Sequence, residues 1–342
     1  MIFVEYPRRR YSECLFVQRF RACPNLPVYS APEYRGRVDT PSGTTRRRVV
    51  PRCVKRQDPI LADLLAHTIS PRPRRRATAA TLLLVRGRIS QELGLDAAGH
   101  FAAAWGITMT YVGFLLGAMG ADYYPRLTEV IRDRVAAVRL MNDQAQLGLA
   151  IGGPVLLLLI GLAPWVITLL YSSEFGPAVT LLQWQTVGNV FKLASWALGF
   201  SIAASARGKT FLLVQVSFNI LFVLMLWPSL AYFGVIAAGP AFSIAYILHF
   251  FLLNILVRRI HGFRWAPLSI GLLGLHAGLA LVLLALALTA PLAAALASPI
   301  LATATGLFGL RVVLVKIGPE GRLATRLTRF YASIGWPVRS SA

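Results

Sequence analysis

The chain has 342 residues, of which 56% are hydrophobic and 14% are charged, with a mean hydropathy of +0.60. Soluble domains carry about 25% charged residues, so this composition argues against an ordinary soluble protein. The formal net charge of +21 does not indicate nucleic-acid binding, because beyond residue 76 the basic residues concentrate in loops between apolar stretches, as membrane topology requires. We therefore expect no nucleic-acid partner.

Residues 1–76 form a basic segment with arginine clusters at 8–10, 46–48 and 72–76 and with no sustained helical or strand period. Such a segment cannot bury enough apolar surface to offset its chain entropy. Three interpretations stay open. It is a tail that binds anionic lipid or RNA, a disordered segment without a role, or sequence that is not native to the protein.

Apolar stretches follow along the rest of the chain. Residues 77–86 look like the end of a helix that is too short to span a bilayer. A run of about 20 uncharged residues crosses the bilayer core as a helix. Seven such spans are predicted, at 98–119, 146–170, 181–204, 210–228, 234–257, 267–289 and 297–315. The predicted fold class is thus an all-α polytopic membrane protein with about seven transmembrane helices and one truncated helix.

Loop charges predict the orientation of these spans. Basic residues recur in alternate loops, at 119–145, 205–210 and 258–264 and in the tail 318–342. Basic loops lie on the cytoplasmic side, which places the C-terminus in the cytoplasm. The loop 119–145 is predicted to be either an amphipathic interfacial helix or an extension of the following span.

Catalytic and metal-binding patterns are missing from the sequence. It contains no HExxH, GxSxG or P-loop motif, and the three cysteines, Cys14, Cys23 and Cys53, fit no zinc spacing. We expect neither an enzyme nor a bound metal or cofactor.

One ionisable residue lies near the centre of a span. Lys192 in the span 181–204 shares a helical face with Gln185, Asn189, Trp196 and Gly199. A central lysine costs about 2.5–3.5 kcal/mol on insertion scales and usually faces a cavity or a partner. This face is predicted to line a polar cavity; the alternative is a lysine that snorkels or pairs with a carbonyl.

Other polar residues within the spans are predicted to form interhelical hydrogen bonds rather than a ligand site. They are Gln215, Asn219, His249, Asn254 and His276. The pair Gly113 and Gly117 matches a weak helix-packing motif.

Two longer stretches resemble a known family. They are 99–130, with Tyr123-Tyr124-Pro125-Arg126-Leu127, and 169–211, with Tyr171-x-x-x-Phe175 and a helix carrying Trp184, Lys192 and Trp196. Both are similar to the polysaccharide (O-antigen) flippases of the multidrug/oligosaccharidyl-lipid/polysaccharide exporter superfamily. Members of that family move undecaprenyl-diphosphate-linked oligosaccharides across the bacterial inner membrane during O-antigen and lipopolysaccharide biosynthesis.

The resemblance implies a domain organisation. Residues 77–265 would be the second lobe of a two-lobe flippase, 266–317 two additional transmembrane helices, and 318–342 a basic cytoplasmic tail. Expected partners are a polyprenyl-diphosphate-linked glycan, membrane lipids and a polysaccharide polymerase or assembly complex.

The resemblance also implies a basic cavity. Lys192, Arg86 and Arg88 are the candidates to face the diphosphate, although the two arginines could equally be interfacial. Residues at the expected cytoplasmic entrance are Tyr124, Arg126, Arg207 and Lys209, of which the last two could instead only set topology.

The departure from the family lies in the first lobe, because an arginine-rich segment stands in its place. Alternating access by rocking needs two lobes, so the chain is expected to be a fragment or half of an assembly. The alternatives are a multidrug-type small-molecule exporter and a truncated membrane component without transport activity.

Overall fold

The structure is a computed structural model that describes residues 71–205, 207–317, 322–333 and 335–336. Within these ranges the secondary structure is helical and contains no strand, which confirms the predicted all-α polytopic membrane protein. The basic segment up to residue 70 lies outside the described residues, as do residues 318–321, 334 and 337–342 of the predicted tail.

Eight α-helices make up this described part of the chain. They are α1 Pro71–Val130, α2 Arg134–Leu170, α3 Gly176–Ala204, α4 Gly208–Phe233, α5 Ala238–His261, α6 Pro267–Thr289, α7 Pro291–Ile317 and α8 Arg322–Ser333. Two 3-10 turns, Ser173–Phe175 and Gly234–Ala237, precede α3 and α5.

Six helical segments of the described chain are long and apolar enough to cross a membrane. One of them, Gly208–His261, contains both α4 and α5 with the turn between them. When α4 and α5 are counted as separate helices, each of the seven predicted spans coincides with a helix. The long helices α2 and α3 pack against each other, α3 packs on α5, and α2 also contacts α6 and α7.

The helix α1 is divided at Gly94, whose φ of 89° and ψ of 174° are not helical. Only glycine adopts such a positive φ readily. Thr78 and Met109 line one cavity, although they lie on opposite sides of Gly94 and almost equally far from it along the chain. The chain therefore folds back at Gly94, which gives α1 a first arm, 71–93, and a second arm, 95–130.

The first arm corrects the prediction for residues 77–86. The helix begins at Pro71 and continues to the corner at Gly94, so it is more than twice as long as the predicted helical end. Hydropathy alone missed it because its two ends carry polar and charged side chains.

The loop predicted over 119–145 is also mostly helical, and the predicted extension of the following span fits its second half, from Arg134 onward. The second arm of α1 runs on to Val130, and α2 begins at Arg134, so only three residues separate the two helices. Asp133 caps α2, because its carboxylate accepts hydrogen bonds from the amides of Val135 and Ala136 at 2.9 and 3.2 Å. Such a cap satisfies amide groups that have no partner within the helix.

Glycines bring α6 and α7 close to α2. A Cβ at Gly153 would meet the ring of His276, one at Gly161 would meet Ser298, and one at Gly309 would meet the backbone of Ala150. Small residues at such contacts let helix backbones approach closely in membranes. The glycines of the predicted motif at 113 and 117 make no such contact with the described helices, where no atom lies within 4 Å of either Cβ position.

Candidate functional site

A cavity of about 190 Å³ lies between both arms of α1 and the helices α3, α4 and α5. Its lining combines polar and aromatic side chains. The lining residues are Thr78, Trp105, Met109, Lys192, Ser195, Trp196, Gly199, Phe200, Phe211, Val214, Gln215, Phe218, Asn219, Tyr246, His249 and Leu253.

Lys192 supplies the positive charge of this cavity. It lies near the middle of α3, its ammonium is 3.4 Å from the sulfur of Met109, and it stands 5.4 Å from the ring centre of Tyr246. The ring attracts the cation, because the face of an aromatic ring carries negative charge density. No carboxylate is among the described residues of the lining.

The opposite wall adds polar groups that the sequence had indicated only as interhelical hydrogen-bonders. Gln215 and Asn219 come from α4 and His249 comes from α5. The Nδ1 atom of His249 lies 2.9 Å from the hydroxyl of Ser217. A signal was available in the sequence, because Gln215 and Asn219 are one helical turn apart and share a face.

Aromatic rings form much of the remaining surface. The rings of Phe218 and Tyr246 stack at 4.0 Å, and those of Trp196 and Phe200 meet edge to face at 4.8 Å. Rings held by one another in this way present rigid apolar faces. The C–H face of a sugar ring can pack on such a surface while the hydroxyl groups of the sugar reach polar side chains nearby.

Gln185 and Asn189 do not line the cavity, although they precede Lys192 on the same face of α3. Both are fully buried. The hydroxyl of Thr108 donates a hydrogen bond of 2.9 Å to Oε1 of Gln185. Among the described residues, neither polar atom of the Asn189 side-chain amide has a hydrogen-bond partner, and neither has Nε2 of Gln185.

This burial gives a stability prediction. A buried polar group without a partner costs about 1–3 kcal/mol, so Asn189→Leu should raise the free energy of unfolding by about that amount. Thr108→Val is the matched control, since it removes the hydrogen bond to Gln185 and should lower stability by about 1 kcal/mol. Thermal unfolding of both variants in detergent tests this, and a less stable Asn189→Leu protein would contradict it.

Arg86 and Arg88 also lie away from the cavity lining. Arg88 forms an ion pair with Glu92 one turn later, and its guanidinium lies 5.0 Å from the ring centre of Trp227. Arg86 has its Nε atom buried without a hydrogen-bond partner. The interfacial alternative thus describes Arg88 better than a place in the cavity.

The four residues expected at the entrance separate into two groups. The ring of Tyr124 packs at 5.7 Å against Phe200, which lines the cavity. Arg126 is exposed and forms an ion pair of 3.0 Å with Asp122 on its own helix. Arg207 and Lys209 are exposed at the start of α4. Tyr124 thus contacts the cavity wall through its side chain, and Arg207 does so through its backbone carbonyl, which accepts a hydrogen bond of 2.9 Å from the amide of the lining residue Phe211.

A second cavity of about 260 Å³ lies between the second arm of α1 and α2. It is lined almost entirely by aliphatic side chains, among them Leu115, Ile151 and Leu162, with the ring of Tyr111 at its rim. It offers hydrocarbon contacts and no charge, so it does not suit a polar ligand.

The fold and the first cavity define a class, namely a polytopic α-helical membrane protein with a cavity between its helices that is lined by polar and aromatic side chains and by Lys192. The chain is 26% identical over 175 residues to the Lipid III flippase of Escherichia coli (strain K12), and equally to that of Shigella flexneri. The match covers 49% of this chain and 40% of each relative, so it spans less than half of their length. No family model and no solved structure matches the chain.

Proposed function

We propose that this chain takes part in flipping a lipid-linked glycan across a membrane. Its cargo is an undecaprenyl-diphosphate-linked oligosaccharide, moved across the bacterial inner membrane for surface polysaccharide or O-antigen biosynthesis. The observation that carries the proposal is the cavity in which Lys192 faces polar and aromatic side chains without a carboxylate among the described lining. The similarity to two Lipid III flippases supports it.

The physical need for such a cavity follows from the cost of moving sugars through lipid. A hydroxyl group that loses water without gaining a partner costs about 4–8 kcal/mol in a fully apolar medium. Several sugars and a diphosphate therefore cannot cross unaided. Side chains such as Gln215, Asn219 and His249 offer replacement hydrogen bonds, while the polyprenyl tail remains among the acyl chains.

The diphosphate sets the need for a cation. Lys192 is placed where a phosphate in the cavity can reach its ammonium, and hydrogen bonds between charged partners are about twice as strong as neutral ones. This cavity, of about 190 Å³, would receive the diphosphate end of the headgroup.

Lys192 in the lining supports an anionic cargo over the organic cations of a multidrug-type exporter, because like charges disfavour each other. The basic loops assign the side at which cargo is loaded, if they lie in the cytoplasm as the loop charges predict. Arg207 and Lys209, exposed at the start of α4, would then lie on the loading side and add a general attraction for the anionic headgroup before a polymerase complex receives the product.

A flipping assay tests the proposal. The full chain is reconstituted into vesicles with a fluorescent farnesyl-diphosphate-linked N-acetylglucosamine, and a membrane-impermeant reductant quenches the outer leaflet. We expect protein-dependent loss of the protected inner-leaflet signal. A farnesyl glucoside without the diphosphate is the matched probe and should not be flipped. Equal rates in protein-free vesicles, or for both probes, would contradict the proposal.

A further inference from the structure

The C-terminal helix α8 has two faces of different character. The side chains of one face are buried or half-buried and follow the spacing i, i+3, i+4 and i+7 of a single helical side. They belong to Ala324, Leu327, Thr328 and Tyr331. Arg326 and Arg329, three residues apart, are both exposed on the other side of the helix. The protein thus covers one side of α8 and leaves the basic side open to the surroundings.

A glycine turn ends α8 and directs the chain back along it. Gly335 has a φ of 75°. Its amide donates a hydrogen bond of 3.1 Å to the carbonyl of Ala332, and the amide of Trp336 donates one of 2.9 Å to the carbonyl of Tyr331. This pair of bonds is a common end of an α-helix when a glycine adopts the left-handed conformation. The rings of Trp336 and Tyr331 therefore lie side by side, with their centres 6.1 Å apart.

These two aromatic residues attach the end of α8 to α7. The hydroxyl of Tyr331 donates a hydrogen bond of 2.6 Å to the carbonyl oxygen of Leu307. The ring of Trp336 stacks at 6.1 Å on that of Phe308, and the guanidinium of Arg311 lies 4.7 Å from the ring centre of Trp336. The position of α8 is thus defined by contacts with one short stretch of α7.

That stretch marks the edge of the hydrocarbon core. The residues 291–310 of α7 are uncharged, and Arg311 is the first charged residue after them. Tyrosine and tryptophan concentrate at this boundary between acyl chains and headgroups. Arg329 and Arg326 precede Tyr331 by two and five residues, so at ~1.5 Å per residue their Cα atoms lie within about 8 Å of it along the helix. Both guanidinium groups can therefore reach the level of the lipid phosphates.

Large apolar side chains are exposed beside the two arginines. Phe330 is 47% exposed and Trp336 is 37% exposed. Basic residues together with exposed aromatic rings are typical of a helix that lies in the membrane interface. Guanidinium groups bind phosphate oxygens through charge-assisted hydrogen bonds, and aromatic rings pack on the upper acyl chain. A phospholipid with a net negative headgroup satisfies both kinds of group at once.

We propose that α8 and Trp336 form an interfacial binding site for anionic phospholipids. Arg326 and Arg329 hold the headgroup, and Phe330 and Trp336 contact the acyl chains. The bound lipid is a partner at the surface of the protein and is distinct from the cargo of the proposed function. A basic residue near an anionic membrane surface strengthens binding by about fivefold. The two arginines should therefore favour an anionic over a zwitterionic lipid by about 25-fold.

Local lipid contact is measured on the full chain in phosphatidylcholine vesicles. A bimane fluorophore is attached at Ser333→Cys, one turn after Arg329 on the exposed side of α8, in a chain whose three native cysteines are replaced by serine. Phosphatidylglycerol or phosphatidylcholine with a nitroxide near the top of its acyl chain quenches the fluorophore on contact. We expect an exchange constant of about 25 in favour of phosphatidylglycerol.

Two pairs of substitutions localise the effect. Arg326→Gln together with Arg329→Gln should lower the exchange constant to near one, while quenching by the phosphatidylcholine probe persists because the contacts of α8 with α7 are kept. Arg258→Gln together with Arg259→Gln is the matched control, since it removes two exposed arginines from the last turn of α5, and it should leave the constant unchanged.

Each of four results would overturn the proposal. Equal quenching by the two lipids would show that the site does not select a charged headgroup, and quenching by neither would place α8 away from the bilayer. Equal losses in the two double variants would show a general effect of surface charge. A preference that added RNA abolishes would assign the arginines to nucleic acid. Should the Arg326 and Arg329 variant fail to fold, the exchange constant of the labelled parent chain still decides the question.

Discussion

Replacing Lys192 by alanine should abolish diphosphate-dependent flipping while leaving the protein inserted and folded. Lys192 is the positive charge of the described cavity lining. Removing one partner of a buried, hydrogen-bonded charge pair costs about 2–5 kcal/mol, which corresponds to a loss of at least about 30-fold in affinity for the probe. Flipping in vesicles and calorimetry with the diphosphate-linked probe both measure the effect.

Two controls make this result specific. Lys192→Arg keeps the charge at the same place and should retain a large part of the activity. Lys209→Ala removes an exposed lysine at the start of α4 and should change affinity little, since exposed charge pairs contribute about 0–1 kcal/mol. Equal losses in Lys192→Ala and Lys209→Ala would point to net charge rather than to the cavity, and an active Lys192→Ala protein would remove Lys192 from the mechanism.

Filling the cavity should stop flipping by a different route. Gly199 lines the cavity on α3, and no atom of the described chain lies within 4 Å of the position that its Cβ would occupy. A phenylalanine there enters open space of about 190 Å³ and displaces the ligand without first displacing other side chains. We expect the flipping rate of Gly199→Phe to fall to that of protein-free vesicles, with a thermal unfolding temperature close to the original.

The chain offers a matched control for this substitution. Gly117, in the second arm of α1, also has nothing within 4 Å of its Cβ position, but it is exposed on the outside of the described bundle. Gly117→Phe places the same ring on the same kind of backbone without touching the cavity. Similar loss in both variants would show a general effect of bulk on the helices, and an active Gly199→Phe protein would show that cargo does not use this cavity.

The seven predicted spans and their order could be predicted from the sequence, and so could both ends of α6, at Pro267 and Thr289. The first arm of α1 and the helical extensions around 131–133 could not. Uncharged runs such as 145–170 leave no other structure that satisfies the backbone in lipid. Charged residues obscured the helical extensions on both sides of 131–133, since a hydropathy window treats arginine as a loop signal. Arginine and leucine are nevertheless good helix formers, and the cap at Asp133 shows where α2 starts.

Only the part of the cavity lining that α3 contributes could be predicted from the sequence. The spacing of Lys192 and Trp196 indicated a polar face on α3, and both residues line the cavity in the structure. The same spacing included Asn189, which is buried instead, because periodicity does not show which neighbour covers each turn. His249 and Asn219 join the lining from other helices, and the register between helices is set by packing that one sequence does not reveal.

The corner at Gly94 has a consequence for how the protein is made. A single residue joins two helices that line the same cavity. The two arms therefore have no loop between them that could remain outside the membrane. The two arms should leave the translocon together and insert into the membrane as one helical hairpin. Each arm then shields the other from lipid during biogenesis, before α3 has been synthesised.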